Sequence, residues 1–353
     1  MPDGPDFHPN AQSPRRLTIT GGAGFIGVNA AHHFAQKGWR VTIFDNLSRP
    51  GSDQNLEWIL ATHPDTIDFI EGDLRRPASL PAALIGRNAV LHLAAQVAVT
   101  TSLIDPIEDF EVNAAGTLRL LEAVRKHIPD AIFLHASTNK VYGDLPGLRL
   151  RRIQNRWQPE AGMVGISEQQ PLDFHSPYGC SKGTADQYVR DYARSYGLDT
   201  IVLRQSCVYG SHQNGTEDQG WVAHFVRAAL EGQPITLFGD GCQVRDLLDV
   251  RDLCRLYEAC FEHGRSLAGR VFNVGGGPEN ARSVIEVLSL IESTLKRDLH
   301  VSFNTERKGD QKYYVSDLAH AKRLTGWKPE VGFEAGLRDL VAWFANTRTL
   351  ATA

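Results

Sequence analysis

Tyr178 and Lys182 stand four residues apart in Tyr178-Gly179-Cys180-Ser181-Lys182. On a helix that spacing puts both side chains on one face, one turn apart. An ammonium group beside a phenol favours the phenolate. Lys182 is therefore expected to lower the tyrosine pKa and let Tyr178 act as a general base or acid. Alone, the pair is a common surface motif. Its weight depends on what else the chain supplies.

A dinucleotide-binding pattern is written early in the chain. Arg16-Leu17-Thr18-Ile19-Thr20 reads as a short strand that runs into Gly21-Gly22-Ala23-Gly24-Phe25-Ile26-Gly27. An alanine-rich helical pattern follows to about Gly38, and Arg40–Asp45 reads as a second strand. Gly22, Gly24 and Gly27 fit Gly-x-Gly-x-x-Gly in the strand–turn–helix context that gives the pattern meaning. The turn lets backbone approach a pyrophosphate, and the helix N-terminus offers it unpaired N–H groups. Asp45 closes the second strand, where a carboxylate suits the ribose hydroxyl of NAD and repels the 2'-phosphate of NADP. Arg49, close by, tempers that preference.

The elements that must position these groups alternate along the chain. Thr66–Asp73 is a third strand, and Ala89–Ala95 an apolar run suited to a strand buried on both faces. A helix is expected from about Asn113 to Val124. Ala131–Ser137 is a strand that delivers Thr138 to its C-terminal end, where open α/β sheets bind ligands. A helix from Tyr178 to about Tyr196 and a strand at Asp199–Arg204 follow.

The expected fold class is α/β: a Rossmann-type doubly wound parallel sheet with a smaller mixed α/β C-terminal substrate lobe. Residues 16–207 form the dinucleotide domain, with an insertion at 145–175. Residues 208–346 are mainly the substrate lobe, with segments near 246–276 returning to the first domain. Residues 1–15 and 347–353 are expected to be tails. The insertion carries Arg149, Arg151, Arg152 and Arg156 and reads as a solvated loop, with a lid or subunit contact as the alternative.

Composition narrows the function classes. The 353 residues are 42% hydrophobic and 22% charged, ordinary for a soluble globular chain. A net charge of -4 gives no case for nucleic acid or an anionic membrane. Five cysteines with no Cys-x-x-Cys suggest reduced thiols in a cytoplasmic protein, and neither a disulfide framework nor a metal site is expected. No apolar run reaches the roughly 20 residues of a membrane span. The polar, Pro-containing Met1–Pro14 lacks the apolar core of a signal peptide.

Together these motifs resemble the extended short-chain dehydrogenases/reductases, in their nucleotide-sugar-modifying branch, over about residues 16–345. Thr20-Gly21-x-x-Gly24-x-x-Gly27, Leu93-Ala94-Ala95, Asn113-x-x-Gly116-Thr117 and Tyr178-x-x-x-Lys182 match the family's elements. So do Gly239-Asp240-Gly241-x-x-x-Arg245-Asp246, Arg307-Lys308-Gly309-Asp310 and Gly326-Trp327-Lys328-Pro329. The resemblance implies that Tyr178 takes a sugar hydroxyl proton as hydride leaves for NAD. Lys182 then binds the nicotinamide ribose and tunes the tyrosine, and Thr138 hydrogen-bonds the reacting oxygen. Gly21, Gly24, Phe25, Ile26 and Gly27 form the phosphate turn. Asp45 takes the adenosine ribose with Asn46 beside it, and Asp73 and Leu74 lie near adenine. Leu93, Ala94, Ala95 and Asn113 complete the cofactor set. Arg245 and Arg307 are diphosphate contacts, since planar guanidinium matches phosphate. Asn139, Lys140, Glu168, His175, Ser206, Trp221 and Asp310 complete the substrate set.

Nucleotide-sugar 4,6-dehydratases carry Asp-Glu after the threonine, whereas this chain has Asn139-Lys140, and asparagine cannot donate the proton that dehydration needs. Asn139–Asp144, Gly165–Glu168, His175–Gly183 and Thr216–Trp221 resemble the CDP-paratose 2-epimerase group. The implied activity is NAD-dependent inversion of C2 of a CDP-hexose. Open beside it stand a UDP-sugar 4-epimerase, a dehydratase or oxidoreductase, and a catalytically silent scaffold. A nucleotide-sugar partner is implied, CDP-linked by preference and UDP-linked as alternative. The resemblance also implies a homodimer or homotetramer through residues 113–124 and 183–196.

Overall fold

A computed structural model describes residues 15–160, 162–163, 165–306 and 310–351. Among these, seven parallel strands form the central sheet. They are β1 (Arg16–Thr20), β2 (Arg40–Asp45), β3 (Ile67–Glu71), β4 (Ala89–His92), β5 (Ile132–Thr138), β6 (Thr200–Gln205) and β7 (Val271–Val274). Their order in space is β3-β2-β1-β4-β5-β6-β7. The order reverses between β1 and β4, and ligands of such sheets sit in the crevice at the carboxyl ends of those strands. β4 and β6 are buried along their whole length, as their near-continuous apolar sequences require.

Helices cover both faces. On one, Phe34, Trp39, Leu253, Tyr257 and Phe261 share a core with β1 and β2. On the other, Leu84, Leu120, Leu121, Val124, Val189 and Tyr192 pack on Val90, Phe133 and Val202. The helix Ser176–Tyr196, which carries Tyr178 and Lys182, opens with Pro177 in its first turn and stops at Gly197, whose φ of 71° caps it in the left-handed region. Its buried stripe runs Tyr178, Lys182, Ala185, Asp186, Val189, Tyr192, the spacing of a helix face laid on a sheet.

Beyond β6 the chain serves two cores. The helix Val250–His263 packs on the glycine-turn helix Phe25–Gln36 and leads to β7. A separate cluster gathers Val222, Phe225, Val226, Leu237, Val287, Ile291, Phe333 and Leu337 around three helices, Trp221–Glu231, Val284–Leu295 and Phe333–Ala351. Ile235–Phe238 and Val301–Asn304 pair as a two-stranded ribbon beside it.

The structure corrects the sequence at three places. The insertion contains an antiparallel hairpin, Leu150–Ile153 with Arg156–Pro159, turning at Gln154 (φ 52°). It docks on the substrate lobe instead of standing in solvent. Trp157 N–H donates to Cys242 O at 3.0 Å, its indole N–H to Asp240 at 3.1 Å, and Arg156 to Ala281 O at 2.8 Å. Leu150 adds an apolar contact with Val244, Ala281, Tyr313 and Val315, but the two short strands lack the apolar alternation that marks a strand in sequence. The helix expected from Asn113 instead begins regularly at Gly116, after a single wider turn at Glu111–Ala115, and two short helices, Val99–Ile104 and Pro106–Phe110, precede it. Finally, the last helix continues to Ala351, past Thr347, where a tail was expected. No glycine or proline stops it there.

Candidate functional site

The glycine turn sits under β4's continuation. A Cβ on Gly21 would meet Ala94 N and Cα at 2.6 and 2.8 Å, and one on Gly27 would collide with Gly21 O and Gly22. Gly21 also holds φ 71°, so only glycine serves there without strain. Gly24 is the N-cap of the helix that opens with Phe25 and Ile26. It provides no side-chain cap, and the first turn has no acidic residue. That leaves N–H groups and the positive dipole end for an anion. Asp45 is anchored by Ala23 N–H on Oδ2 at 3.0 Å and Leu47 N–H on Oδ1 at 2.9 Å. Burial raises its pKa despite those bonds. Asn46 donates to Asp73 at 2.9 Å, and the Arg75 hydrogen bonds hold the Asp73 carboxyl well below the usual range. Leu74 is buried in the core under the helix Gly116–His127. Leu93 N–H donates to Thr20 O, which lays Leu93-Ala94-Ala95 along the crevice. Asn113 is buried, accepts from Gln96 N–H at 2.9 Å, and donates to Gln96 O, Asp109 and Ser181 Oγ. Its amide thus stitches the Gln96 loop to the catalytic helix. This cradle, with a bare helix N-terminus and an acid at the end of β2, fits a dinucleotide.

Tyr178 lies beside Thr138 at the C-terminal end of β5, close enough for the threonine to favour the charged form of the phenol. Tyr178 is 8% exposed and Lys182 5%. Lys182 Nζ donates to Ala136 O at 2.6 Å. Burial pushes the tyrosine up to about 12 and the lysine down to about 8. The expectation that Lys182 would lower the tyrosine is therefore corrected for this state. Burial outweighs the favourable groups, and those acting on the phenol are Thr138 and Arg49, opposed by Asp109. Arg49 lies near both Asp45 and Tyr178. Asp109 accepts from Ser181 Oγ at 2.5 Å and from Gln96 at 2.8 Å.

On the substrate side, Asn139 is 7% exposed and donates to Gln311 at 3.1 Å. Arg245 Nη2 donates to Asp310 at 2.6 Å, and Lys140 Nζ lies 3.7 Å from the same carboxylate. Cys207 is near Arg245, Lys140 and the Trp221 indole, which draws Trp221 to this group. Ser206 lies beside Asp246, whose burial raises it to about 6. Arg307 falls outside the described residues. Two residues are tied elsewhere. Glu168 accepts from Asn273 N–H at 2.7 Å and lies 3.9 Å from His320. His175, 41% exposed by side chain, sits between Asp144 at 3.0 Å and Asp173 at 3.1 Å. Among the described residues, neither is hydrogen-bonded or ion-paired to Thr138, Tyr178 or Lys182.

Four contributors escaped sequence reading: Gln311, Asp109, and the buried pair Asp186–Arg204. Arg204 bonds Asp186 twice, at 2.8 and 2.9 Å, and donates to Tyr142 Oη, while Ser137 Oγ donates to Asp186. Asp186 lies one turn beyond Lys182 and favours its charged form. Its position at i, i+4, i+8 with Tyr178 and Lys182 was the available signal. Among the described residues no cluster of histidine, cysteine, aspartate or glutamate could hold a metal, and no helix is long and apolar enough to cross a membrane.

Residues 18–340 match the family described as GDP-mannose 4,6 dehydratase. A CDP-paratose 2-epimerase of Salmonella typhi is 39% identical, over 94% of this chain and 99% of its own. The UDP-glucose 4-epimerase of Thermotoga maritima, solved with UDP-glucose, superposes with a TM-score of 0.81 at 30% identity, covering 94% and 99% of the two chains. The dTDP-glucose 4,6-dehydratase of Streptomyces venezuelae, solved with NAD bound, gives 0.82 at 30%, covering 95% and 98%.

Proposed function

The chain belongs to the GDP-mannose 4,6-dehydratase family of extended short-chain dehydrogenases/reductases, and on that premise we propose that it inverts C2 of a CDP-hexose, in the manner of CDP-paratose to CDP-tyvelose. It is a nucleotide-sugar epimerase, an isomerase, and its cofactor is NAD.

NAD, when bound, supplies a reversible hydride acceptor, so that a hydroxyl-bearing carbon can be oxidised and reduced again without net redox change. The residues of the chain do the rest. Tyr178 takes the C2 hydroxyl proton and returns it to the same oxygen when C2 is reduced from the opposite face. Thr138 holds that oxygen. Lys182 binds the nicotinamide ribose. Arg245, which Asp310 holds, grips the diphosphate with Arg307 while the sugar presents both faces. Lys140 and Trp221 border the sugar.

The observation that carries this reading is Asn139-Lys140 beside Thr138. A carboxamide cannot donate a proton at neutral pH, and Asn139 is held by Gln311. The acid needed to expel water is missing, while the groups needed to take and return one proton are present. The 39% identity to a CDP-paratose 2-epimerase supports the sugar and the carbon. The test is incubation of the purified chain, without added cofactor, with CDP-paratose, CDP-glucose and UDP-glucose, and sugar analysis by NMR. A C2 epimer of a CDP-sugar is expected. A C4 epimer of UDP-glucose, a 4-keto-6-deoxy product, or no product from any sugar would overturn the assignment.

We also propose a homodimer. Leu103, Ile104, Ile107 and Phe110 are 50–85% exposed on two short helices that pack against the catalytic helix, which itself exposes Tyr188 and Tyr196. Exposed apolar groups gathered on one face mark an association surface.

A further inference from the structure

The helix of Tyr178 and Lys182 starts at the crevice, and its first turn is held from outside. Tyr178 lies in that turn, where backbone N–H groups have no partner within their own helix. Its N–H donates to Ser102 Oγ at 3.1 Å, and Ser102 is fully buried in the helix Val99–Ile104. Three residues on, Ser181 Oγ donates to Asp109 Oδ2 at 2.5 Å. Asp109 is fully buried in the short helix Pro106–Phe110, and the chemistry above gives it no task.

Asp109 meets more than Ser181. Its Oδ1 accepts from Gln96 Nε2 at 2.8 Å and from Asn113 Nδ2 at 3.1 Å. Gln96 follows Leu93-Ala94-Ala95, which lie along the crevice, and Ser181 precedes Lys182. One carboxylate therefore ties the wall after β4 to the helix that carries both catalytic groups. The donors have a fixed direction. Gln96 Oε1 accepts from Ala98 N–H at 2.5 Å, and its Nε2 also donates to Ala98 O at 2.9 Å. A backbone N–H and a backbone carbonyl cannot exchange roles, so the glutamine must turn its NH2 toward Asp109. Asn113 Oδ1 accepts from Gln96 N–H at 2.9 Å, which leaves its NH2 for Asp109 and for Ser181 Oγ at 3.0 Å. Only an acceptor satisfies both amides. Burial acts against the charge of Asp109, and Lys182 nearby supports it.

We propose that Asp109 is a positioning residue that locks the Gln96 loop to the helix of Tyr178 and Lys182 and so fixes the nicotinamide end of the crevice. It acts through Gln96, Asn113 and Ser181 and touches no reacting atom. A reaction that removes hydride from a carbon and returns it to the other face passes through this geometry twice. A misplacement of about 1 Å costs about 100-fold in rate. The effect on turnover rests on the epimerase reading above; the effect on NAD does not.

The test uses the full chain. NAD affinity is measured by calorimetry on protein stripped of cofactor, and kcat and KM with the CDP-sugar and NAD present. Asp109→Ala removes the lock. NAD is expected to bind about tenfold more weakly and kcat to fall about 100-fold, with KM for the sugar changed only a few-fold. Asp109→Asn keeps a carbonyl for Gln96 and Asn113. Its NH2 then meets Ser181 Oγ, whose proton can turn to Tyr178 O, 3.2 Å away. This variant should recover most of both losses. If Asp109→Ala does not fold, Gln96→Leu opens the same lock from the loop side and should weaken NAD in the same direction. Unchanged NAD affinity in the variant that folds, with only a lower unfolding midpoint, overturns the proposal and leaves Asp109 a stabilising group. So does an Asp109→Asn variant as impaired as Asp109→Ala, because the effect would then lie in the charge and not in the hydrogen bonds. Weakened NAD binding in a chain whose parent epimerises no sugar keeps the lock and discards the sugar assignment.

Discussion

At the scale of single residues, the site is ruled by burial. Tyr178 sits at about 12 and Lys182 at about 8, and in both the desolvation of the charged form is the first cause. A base must be deprotonated to take a proton, so activity should rise with pH toward the alkaline side, because the ionised fraction of a tyrosine with a raised pKa grows there. Lys182 loses its own proton in the same direction, which gives the profile a falling arm. Tyr178→Phe should keep NAD and the fold while losing about 10²–10⁴-fold in kcat. Turnover within a few-fold of the parent chain would remove Tyr178 from the chemistry. Arg245→Ala should act differently. It removes a guanidinium that is 6% exposed and paired with Asp310, and the expected result is a raised KM for the nucleotide sugar with kcat changed less. Equal KM values in titrations of parent and variant would discard the diphosphate role.

Elements hold these residues in place, and the strongest tie is hidden. Asp186 and Arg204 join the catalytic helix to β6, with both side chains almost wholly buried. Breaking such a pair by removing one partner leaves a buried charge unpaired. Arg204→Met or Asp186→Leu is expected to cost about 3–5 kcal/mol in denaturant unfolding, and the double variant less than the sum. Additive losses would show that the pair is not coupled. This tie also marks where sequence reading stops. The glycine turn, Asp45 and the Tyr178–Lys182 spacing are local patterns whose geometry follows from one turn or one helix, and they were legible. So was β5 as the carrier of Thr138. Gln311 on Asn139 and Asp109 on Ser181 are contacts between residues 172 and 72 apart, which no local period announces. The hairpin at 150–159 was missed for a related reason: its docking partners Asp240, Cys242 and Ala281 lie more than eighty residues on, and its own strands are polar. His175 entered the substrate set by resemblance, and in the fold it sits between the carboxylates of Asp144 and Asp173.

The whole molecule carries a pH dependence of stability that these local facts set. His92 is fully buried, hydrogen-bonded to Thr20 and Thr117, and burial with nearby Lys182 depresses it to about 3. His135, its ring tilted against it at 5.1 Å, has no hydrogen-bond partner and is held well below its ordinary value by burial, Lys182 and His92. His212, lying on Trp58, is lowered to about 4 by burial and His32. Each is neutral in the fold and takes a proton near 6.5 when unfolded. Over the window from about 6.5 down to 3 the unfolded chain binds more protons, so stability falls as pH falls. Asp246 opposes this. Its carboxyl is raised to about 6 by burial, and stability from that group falls as pH rises from about 4 to 6. Burial also raises Asp45 and Asp109, but the histidines' window opens at higher pH than that of any of these carboxylates. The midpoint of thermal unfolding is therefore expected to drop between pH 7 and 5, before the carboxylate term has fully acted. His135→Leu tests the cause, because it removes a buried titrating group that has no partner to lose. The variant's unfolding midpoint should depend less steeply on pH than that of the parent chain. Parallel slopes in the two proteins would remove His135 from the account and assign the acid sensitivity to the remaining groups.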